Sequence, residues 1–371
     1  MLTDCLAGTR VLDLSQWLPG PFAAQILADL GAEVVKVEPP AGDPLRRLGP
    51  IDGDGVSAFY KIVNAGKSLV FLDLKSEAGA DALRRLVARA DVLVESFRPG
   101  ALAKLGFGRE ALSGLSPRLV HCALSGYGQS GPLALKAGHD IDYMALGGGL
   151  ATSGTVERPV PAHPPTADYA SGQQAALSVL GALLRRARTG EGAFLDVSLM
   201  ETVLAWQAWP MTAALRPGQE TDRGRWLLTG GAAYYRLYRT ADDRFVALGA
   251  LEEKFWAAFC TAVGRDDWIA RQGEPLPQEA LIAEVEALFA ARPLAVWTAL
   301  LAEVDCCFEP VLAPAEVPEH PQVAVRGLVS RTGGEDPRIE VGFAALLDGS
   351  PPSPRPPVVE RSVAEALAAW G

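Results

Sequence analysis

At 371 residues the chain exceeds a typical single domain, so it reads as two domains or as one enlarged α/β domain carrying a lobe. With 44 acidic against 34 basic side chains the net charge is −10, which argues against general binding to nucleic acid or to an anionic membrane and requires any anionic ligand to be held by local cations. The opening MLTDCLAGTR lacks the basic and apolar regions of a secretion signal, and no run reaches the roughly 18 uninterrupted apolar residues of a membrane span, so a soluble, cytoplasmic protein is expected.

Apolar, β-branched runs bounded by breakers predict strands over 10–14, 33–37, 68–73, 92–95 and 119–124. Helical periodicity between them, as over 22–30 and 78–90, makes this an alternating α/β pattern with a buried parallel sheet. In such sheets ligands bind beyond the carboxyl ends of the strands. Those ends carry Ser15, Gln16 and Trp17, then Glu38 and Pro39, then 72–75, 95–98 and 125–129. A long helix follows Asp168 and stops at Gly190, with Arg185, Arg186 and Arg188 suited to the negative end of its dipole. A strand over 193–199 and a helix over 201–214 complete a first domain, 1–215. The Gly- and Pro-rich stretch 216–225 reads as a linker. A strand pair over 234–240 and 244–248, followed by helices near 252–263, 278–291 and 295–304, predicts a smaller α+β domain, 226–310. Residues 311–371, rich in proline, predict an extended return path ending in a short helix, 363–370, docked on the first domain.

Among the motifs, the stretch from Lys136 to Asp168 is the most informative. It holds His139 and Asp140 after Gly138, then a Gly-rich and a Pro-rich span that delivers Asp168 to the long helix. Two proton-handling groups 29 residues apart converge only if the chain doubles back, which this composition permits. Equally, His139 can be a satisfied structural histidine and Asp168 a helix N-cap. Residues Gly126 to Gly131 match GxGxxG, but Pro132 follows and no helical period opens, so a tight turn is expected there rather than a dinucleotide site. The four histidines lack HxxxH and HExxH spacing, and the five cysteines lack CxxC spacing, so no metal site and no disulfide is expected. No serine-hydrolase elbow and no P-loop occurs. Arg98, in Ser96-Phe97-Arg98-Pro99 directly after a strand, is the best placed phosphate-binding candidate, ahead of Lys36, Arg46, Arg47, Lys67 and Lys75.

The ordered segments VLDLSQWLPGPFAAQILADLGAEVVKVEPP, GKSLVFLDLKS, DVLVESFRPG, LSGYGQSGP, AGHDIDYMAL and GGAAYYRLY with VALGALEEKFW together resemble the class III coenzyme A-transferase family, which includes the alpha-methylacyl-CoA racemases. The resemblance runs from Leu6 to Gly327. It implies a large Rossmann-like domain and a small domain, two chains interlocked as a homodimer, an active site between the large domain of one and the small domain of the other, and an acyl-CoA thioester as substrate. CoA is then part of the substrate, and no separate cofactor is implied.

Within the family the transferases use an aspartate, matched here by Asp168, as a nucleophile, whereas the racemases use that aspartate with the histidine of a GHD motif as an acid/base pair. The intact Gly138-His139-Asp140 and the segment Gly230-Gly231-Ala232-Ala233-Tyr234-Tyr235 resemble the racemases. By the same resemblance Glu252 supports the histidine and Asp140 steadies it, while a helix-terminal carboxylate is the alternative for Glu252. CoA contacts are implied at Leu72, Asp73, Leu74 and Lys75, at Glu95, Ser96, Phe97 and Arg98, and at Gly138, Ile141, Asp142 and Tyr143. Where racemases commonly carry Arg after the second strand, this chain has Pro39, so by the same resemblance one phosphate contact is either missing or moved, with Lys36, Arg46 and Arg47 as substitutes. The expected activity is inversion of the α-carbon of a 2-methyl-branched acyl-CoA. Transfer of CoA between carboxylic acids is the alternative, and a non-catalytic acyl-CoA-binding protein is a third reading.

Overall fold

The computed structural model describes residues 4–218 and 221–370, so the first three residues of the opening decamer and two of the expected linker lie outside the described residues. Two compact units emerge: Met1–Gly147 with His163–Ala205 and Glu319–Gly371, and Gly148–Ala162 with Trp206–Pro318. Residues 148–162 and 206–215 thus group with the second unit, where sequence reading assigned them to the first.

The first unit is built on a parallel sheet. Strands β1 (Arg10–Asp13), β2 (Glu33–Glu38), β3 (Ser68–Phe71), β4 (Val92–Glu95), β5 (Val120–Ser125) and β6 (Ala193–Ser198) lie in the order β3-β2-β1-β4-β5-β6, and Val359–Glu360 adds a seventh strand beside β3. Alternate residues along each strand face opposite sides of a sheet. Accordingly Leu12, Val35 and Leu93 pack on one face with Leu83 and Leu86 of the Glu77–Val87 helix and with Leu367 and Trp370 from the C-terminus. Val11, Val34 and Val92 pack on the other face with Leu27 of the Pro19–Asp29 helix and Val179 of the Thr166–Thr189 helix. Burial on both faces is what parallel sheets require, and it accounts for the nearly unbroken apolar runs in the sequence. The order reverses between β1 and β4, and ligand sites of open α/β sheets lie beyond the strand ends at such a reversal.

Three elements differ from sequence expectation. The helix expected over 201–214 is two helices, Leu199–Ala205 and Ala208–Ala213. Pro210 has no N–H to donate to the carbonyl of Trp206, and its ring crowds the preceding turn, so the chain restarts as a new helix with proline in its first turn. The return path after 310 is less extended than its prolines suggest. It contains the Pro321–Arg326 helix and an antiparallel pair, Val329–Arg331 with Ile339–Val341. Arg355 then clamps Asp29 with two 2.6 Å hydrogen bonds, which leads the chain to the seventh strand. Finally, Asp168 is not an N-cap: the helix starts at Thr166 after Pro165, which places Asp168 inside the first turn.

The second unit has a three-stranded antiparallel sheet, Tyr235–Arg239, Phe245–Gly249 and Phe308–Pro310. Helices Glu253–Ala262, Glu279–Ala290 and Leu294–Leu301 close an aromatic core of Trp256, Phe259, Trp268, Phe289 and Trp297. The hairpin turns at Asp243, whose φ of 59° is the left-handed conformation that a short polar side chain tolerates.

Candidate active site

A cleft of about 470 Å³ opens beyond the carboxyl ends of β1, β4 and β5. Gln16 and Trp17 enter it from the loop after β1, Ser96, Phe97 and Arg98 from the loop after β4, and Ser125 and Gly126 from the end of β5. Lys136, Gly138, His139, Asp142, Tyr143 and Asp168 complete the wall. The loops after β1 and β4 are tied by the Gln16 amide, which donates to Ser96 Oγ at 2.9 Å. The doubling back that sequence composition permits does occur, and His139 and Asp168 face one cavity.

Asp142 reaches back from the first turn of the Asp140–Leu146 helix to accept from the His139 amide at 2.9 Å, so it caps the helix that His139 precedes. Asp140 Oδ1 accepts from the Asp168 amide at 3.1 Å and joins the two halves of the site. Tyr143 is buried and donates its hydroxyl to Gly138 O at 2.6 Å. A Cβ on Gly126 or Gly138 would approach the Tyr143 ring to 2.5 or 2.9 Å, so these two glycines make room for the ring. Burial pushes the Tyr143 phenol up to about 12, which keeps it a neutral donor near neutrality.

Two opposing fields act on Asp168. The helix N-terminus favours a carboxylate by about 0.3–1 kcal/mol. Burial disfavours it, the Asp140 carboxylate adds repulsion, and the net result raises Asp168 to about 7. A shift of some three units corresponds to about 4 kcal/mol, so burial outweighs the dipole. Near neutrality Asp168 is therefore divided between acid and base, the condition general acid–base catalysis needs in both directions.

Beneath the loop after β1 lies a layer of buried charge. Asp13 and Lys67 pair at 2.9 Å, Lys36 and Asp43 at 3.1 Å, with all four side chains inaccessible to solvent. Lys67 also donates to Pro21 O and Asn64 Oδ1, and Lys36 donates to Ser15 O at 2.9 Å. Burial would raise Asp13, but the Lys67 and Lys36 ammonium groups hold it below the ordinary carboxylate range. Burial draws Lys67 down to about 8 against the pull of Asp13.

This layer corrects two expectations. Lys67 is not a phosphate ligand, because its ammonium group is buried and committed to Asp13, Pro21 O and Asn64 Oδ1. Nor is Lys36, because its ammonium group is enclosed beneath the loop and committed to Asp43 and Ser15. Arg46 is committed as well, donating at 2.7 Å to both Glu38 and Tyr60. Arg47 remains exposed. Glu95 is buried, accepts from the Phe97 amide at 2.7 Å and lies 3.6 Å from His121, so it shapes the loop that presents Arg98 rather than lining the cleft. Leu72 is a core residue, Leu74 packs against the same core, and Asp73 accepts from the Lys75 amide at 3.0 Å. These four residues and the exposed Ile141 lie outside the cleft wall, although 72–75 follows β3 at the same edge of the sheet. Glu252 belongs to the second unit, where it is exposed at the N-cap of the Glu253–Ala262 helix. Sequence reading did not single out Lys136, Asp43 or the orientation of Trp17. Lys136 could have been found as the cation opening the His139 stretch, whereas Asp43 carried only the local signal of an N-cap before Pro44, which says nothing of its pairing with Lys36.

Among the described residues no group of three or more potential ligands is arranged to hold a metal ion, and no helix is long and apolar enough to cross a membrane. The model of CoA-transferase family III matches residues 6–358. The chain is 36% identical to alpha-methylacyl-CoA racemase of Homo sapiens over 99% of its own length and 93% of that protein. It is 32% identical to acetyl-CoA:oxalate CoA-transferase of Acetobacter aceti over 88% of its length and 86% of that protein. A crystal structure of a CAIB/BAIF family protein from Brucella suis superposes with a TM-score of 0.84 at 28% identity, covering 99% of both chains. A doubly wound sheet with its cleft at the reversal and a match along nearly the whole chain identify this protein as an enzyme of CoA-transferase family III, the family of acyl-CoA racemases and CoA-transferases.

Proposed function

We propose that this enzyme inverts the α-carbon of 2-methyl-branched acyl-CoA thioesters. The observation that carries the reading is the pair His139 and Asp168 on one cleft, with the Asp168 carboxyl raised to about 7. A thioester acidifies its α-hydrogen, and inversion needs one base to take that proton from one face while a conjugate acid returns a proton to the other. An imidazole can both take up and give up a proton, and burial raises the Asp168 carboxyl to about 7, so either can serve as acid or base. The intermediate enolate requires hydrogen bonds or dipoles at its oxygen. Gln16, Ser125 and Lys136 are the cleft's polar candidates for that contact. Both proton carriers belong to the chain, so the reading calls on no further cofactor. Arg98, exposed at the cleft, is assigned to the phosphates of CoA, and Glu252 to support of the histidine.

The alternative is CoA transfer through nucleophilic attack by Asp168, favoured by the same aspartate on the same cleft and by the likeness to the Acetobacter aceti transferase. One panel of thioesters decides between them when α-proton exchange in D₂O and CoA transfer to free acids are measured side by side. Exchange without transfer supports inversion, and transfer without exchange overturns it.

A homodimer belongs to the same proposal. Leu177 and Leu184 are 63% and 69% exposed on the long helix of the first unit, and Trp206 and Trp209 are 57% and 58% exposed in the second, large apolar side chains that a partner chain would cover. An obligate dimer burying more than ~2,000 Å² is expected. A well-folded, active monomer in sedimentation at micromolar concentration contradicts it.

A further inference from the structure

Trp17 is the one residue of the cleft wall whose conformation works against its own side chain. Its φ is 65°, the left-handed region where a Cβ is strained and where glycine is at ease. The residue is 43% exposed, so core packing does not explain the choice of tryptophan either. The backbone is nonetheless held firmly. The Trp17 amide donates to Asp43 Oδ1 at 3.2 Å, Asp43 is paired with buried Lys36, and Lys36 grips Ser15 O two residues earlier. Residues kept in sparsely populated conformations by over-determined surroundings cluster at functional sites. Here that conformation aims the indole at the imidazole of His139, with the rings edge to face and their centroids 6.3 Å apart.

Resting on the proton-transfer reading above, we propose that Trp17 is a specificity-determining residue that limits the size of the group carried on the α-carbon of the acyl chain. A proton-transferring imidazole has to come within hydrogen-bond reach of the α-hydrogen. The indole lies against that imidazole, so a substituent on the same carbon comes within van der Waals reach of the indole. A methyl branch fits beside a rigid ring of this size, and a longer branch meets it. The buried Lys36–Asp43 pair has a positioning role, because it holds the backbone that aims the ring.

The test uses the full-length protein and two probes, 2-methyldecanoyl-CoA and 2-propyldecanoyl-CoA, each read by α-deuterium exchange and by binding affinity. Trp17→Gly suits the backbone and removes the ring, so its Tm is expected at or above that of wild type. The ratio of exchange efficiency, propyl over methyl, is expected to rise about tenfold or more, the scale on which one methylene is discriminated in an apolar pocket. The binding ratio is expected to rise in the same direction. Both ratios unchanged within twofold overturn the proposal. If Trp17→Gly fails to fold, the same ratios in Trp17→Leu decide, since that variant shortens the side chain and leaves the backbone demand unaltered. If no probe exchanges deuterium with any variant while the binding ratio still rises, the racemase reading falls and the size limit stands as one on acyl binding.

Discussion

Asp168→Asn should make this protein more stable at pH 8, and do so by only about a third as much at pH 5. Asp168 ionises near 7 when folded and near 3.9 when unfolded, so between those values the folded chain holds a proton that the unfolded chain has lost. Stability rises with pH only where the unfolded state binds more protons. Here the folded state binds more, so this group's contribution falls as pH climbs from about 4 to about 7 and then levels off. Three units at ~1.4 kcal/mol each set an upper limit of about 4 kcal/mol. Asp168 is only partly enclosed, so water relieves some of the penalty and about 2 kcal/mol is a better expectation. Asparagine keeps the shape and cannot ionise, which removes the pH-dependent loss. For a unit of roughly this size each kcal/mol moves Tm by about 2–4 °C. Thermal unfolding of wild type and variant, at one protomer concentration and at pH 5 and 8, should show the variant gaining some 4–8 °C at pH 8 and about a third of that at pH 5. An equal difference at both pH values would refute burial of an ionising Asp168.

Three further outcomes follow from the same geometry. Arg98→Ala should weaken CoA binding by about 1.5–3 kcal/mol through loss of charge-assisted contacts, and unchanged affinity in calorimetric titration would make Arg98 a surface residue. Lys36→Met should cost about 3–5 kcal/mol in denaturant unfolding, because it strands Asp43 as a buried charge. A loss below 1 kcal/mol would mean that Asp43 finds water or another cation. Tyr143→Phe should leave folding intact yet loosen the turn at Gly138, seen as a loss of about 0.5–1.5 kcal/mol for one hydrogen bond, and no measurable change in stability would exclude that tether.

The parallel sheet was legible because strands buried on both faces leave near-continuous apolar runs, as in Val92-Leu93-Val94. The family was legible because many ordered motifs agree, and His139 and Asp168 were legible as part of them. What stayed hidden depends on contacts far apart in the chain. Lys36 reads as a strand-end cation until β2 is seen to lie inside the sheet, where an unpaired ammonium group cannot remain and Asp43 supplies the partner. The seventh strand, Val359–Glu360, is two residues long in a proline-rich stretch, and it exists only because the edge of β3 offers it hydrogen bonds. The conformation of Trp17 is likewise set by Asp43 and not by its neighbours in sequence, so no local pattern announces it.

His139 separates the two chemistries of this family most sharply. In an inversion by two groups, His139 handles the proton on one face of the α-carbon and Asp168 handles it on the other, so each is required for full inversion through opposite half-reactions. His139→Ala should abolish racemisation with the fold unchanged: the side chain is exposed in the cleft, and the cap that Asp142 makes is to the backbone amide of residue 139, which alanine retains. Exchange at one α-face can persist through Asp168, and exchange measured separately on the two enantiomers should reveal it. In a transferase the essential step is attack by Asp168 on the thioester carbonyl, and His139 only shapes the wall. His139→Ala then keeps much of its rate, while Asp168→Ala loses transfer completely. Hydroxylamine added to wild type with acyl-CoA captures an acylated Asp168 only along the second route. Capture at a kinetically competent rate, with no deuterium entering the α-position, would place this chain among the transferases of its family.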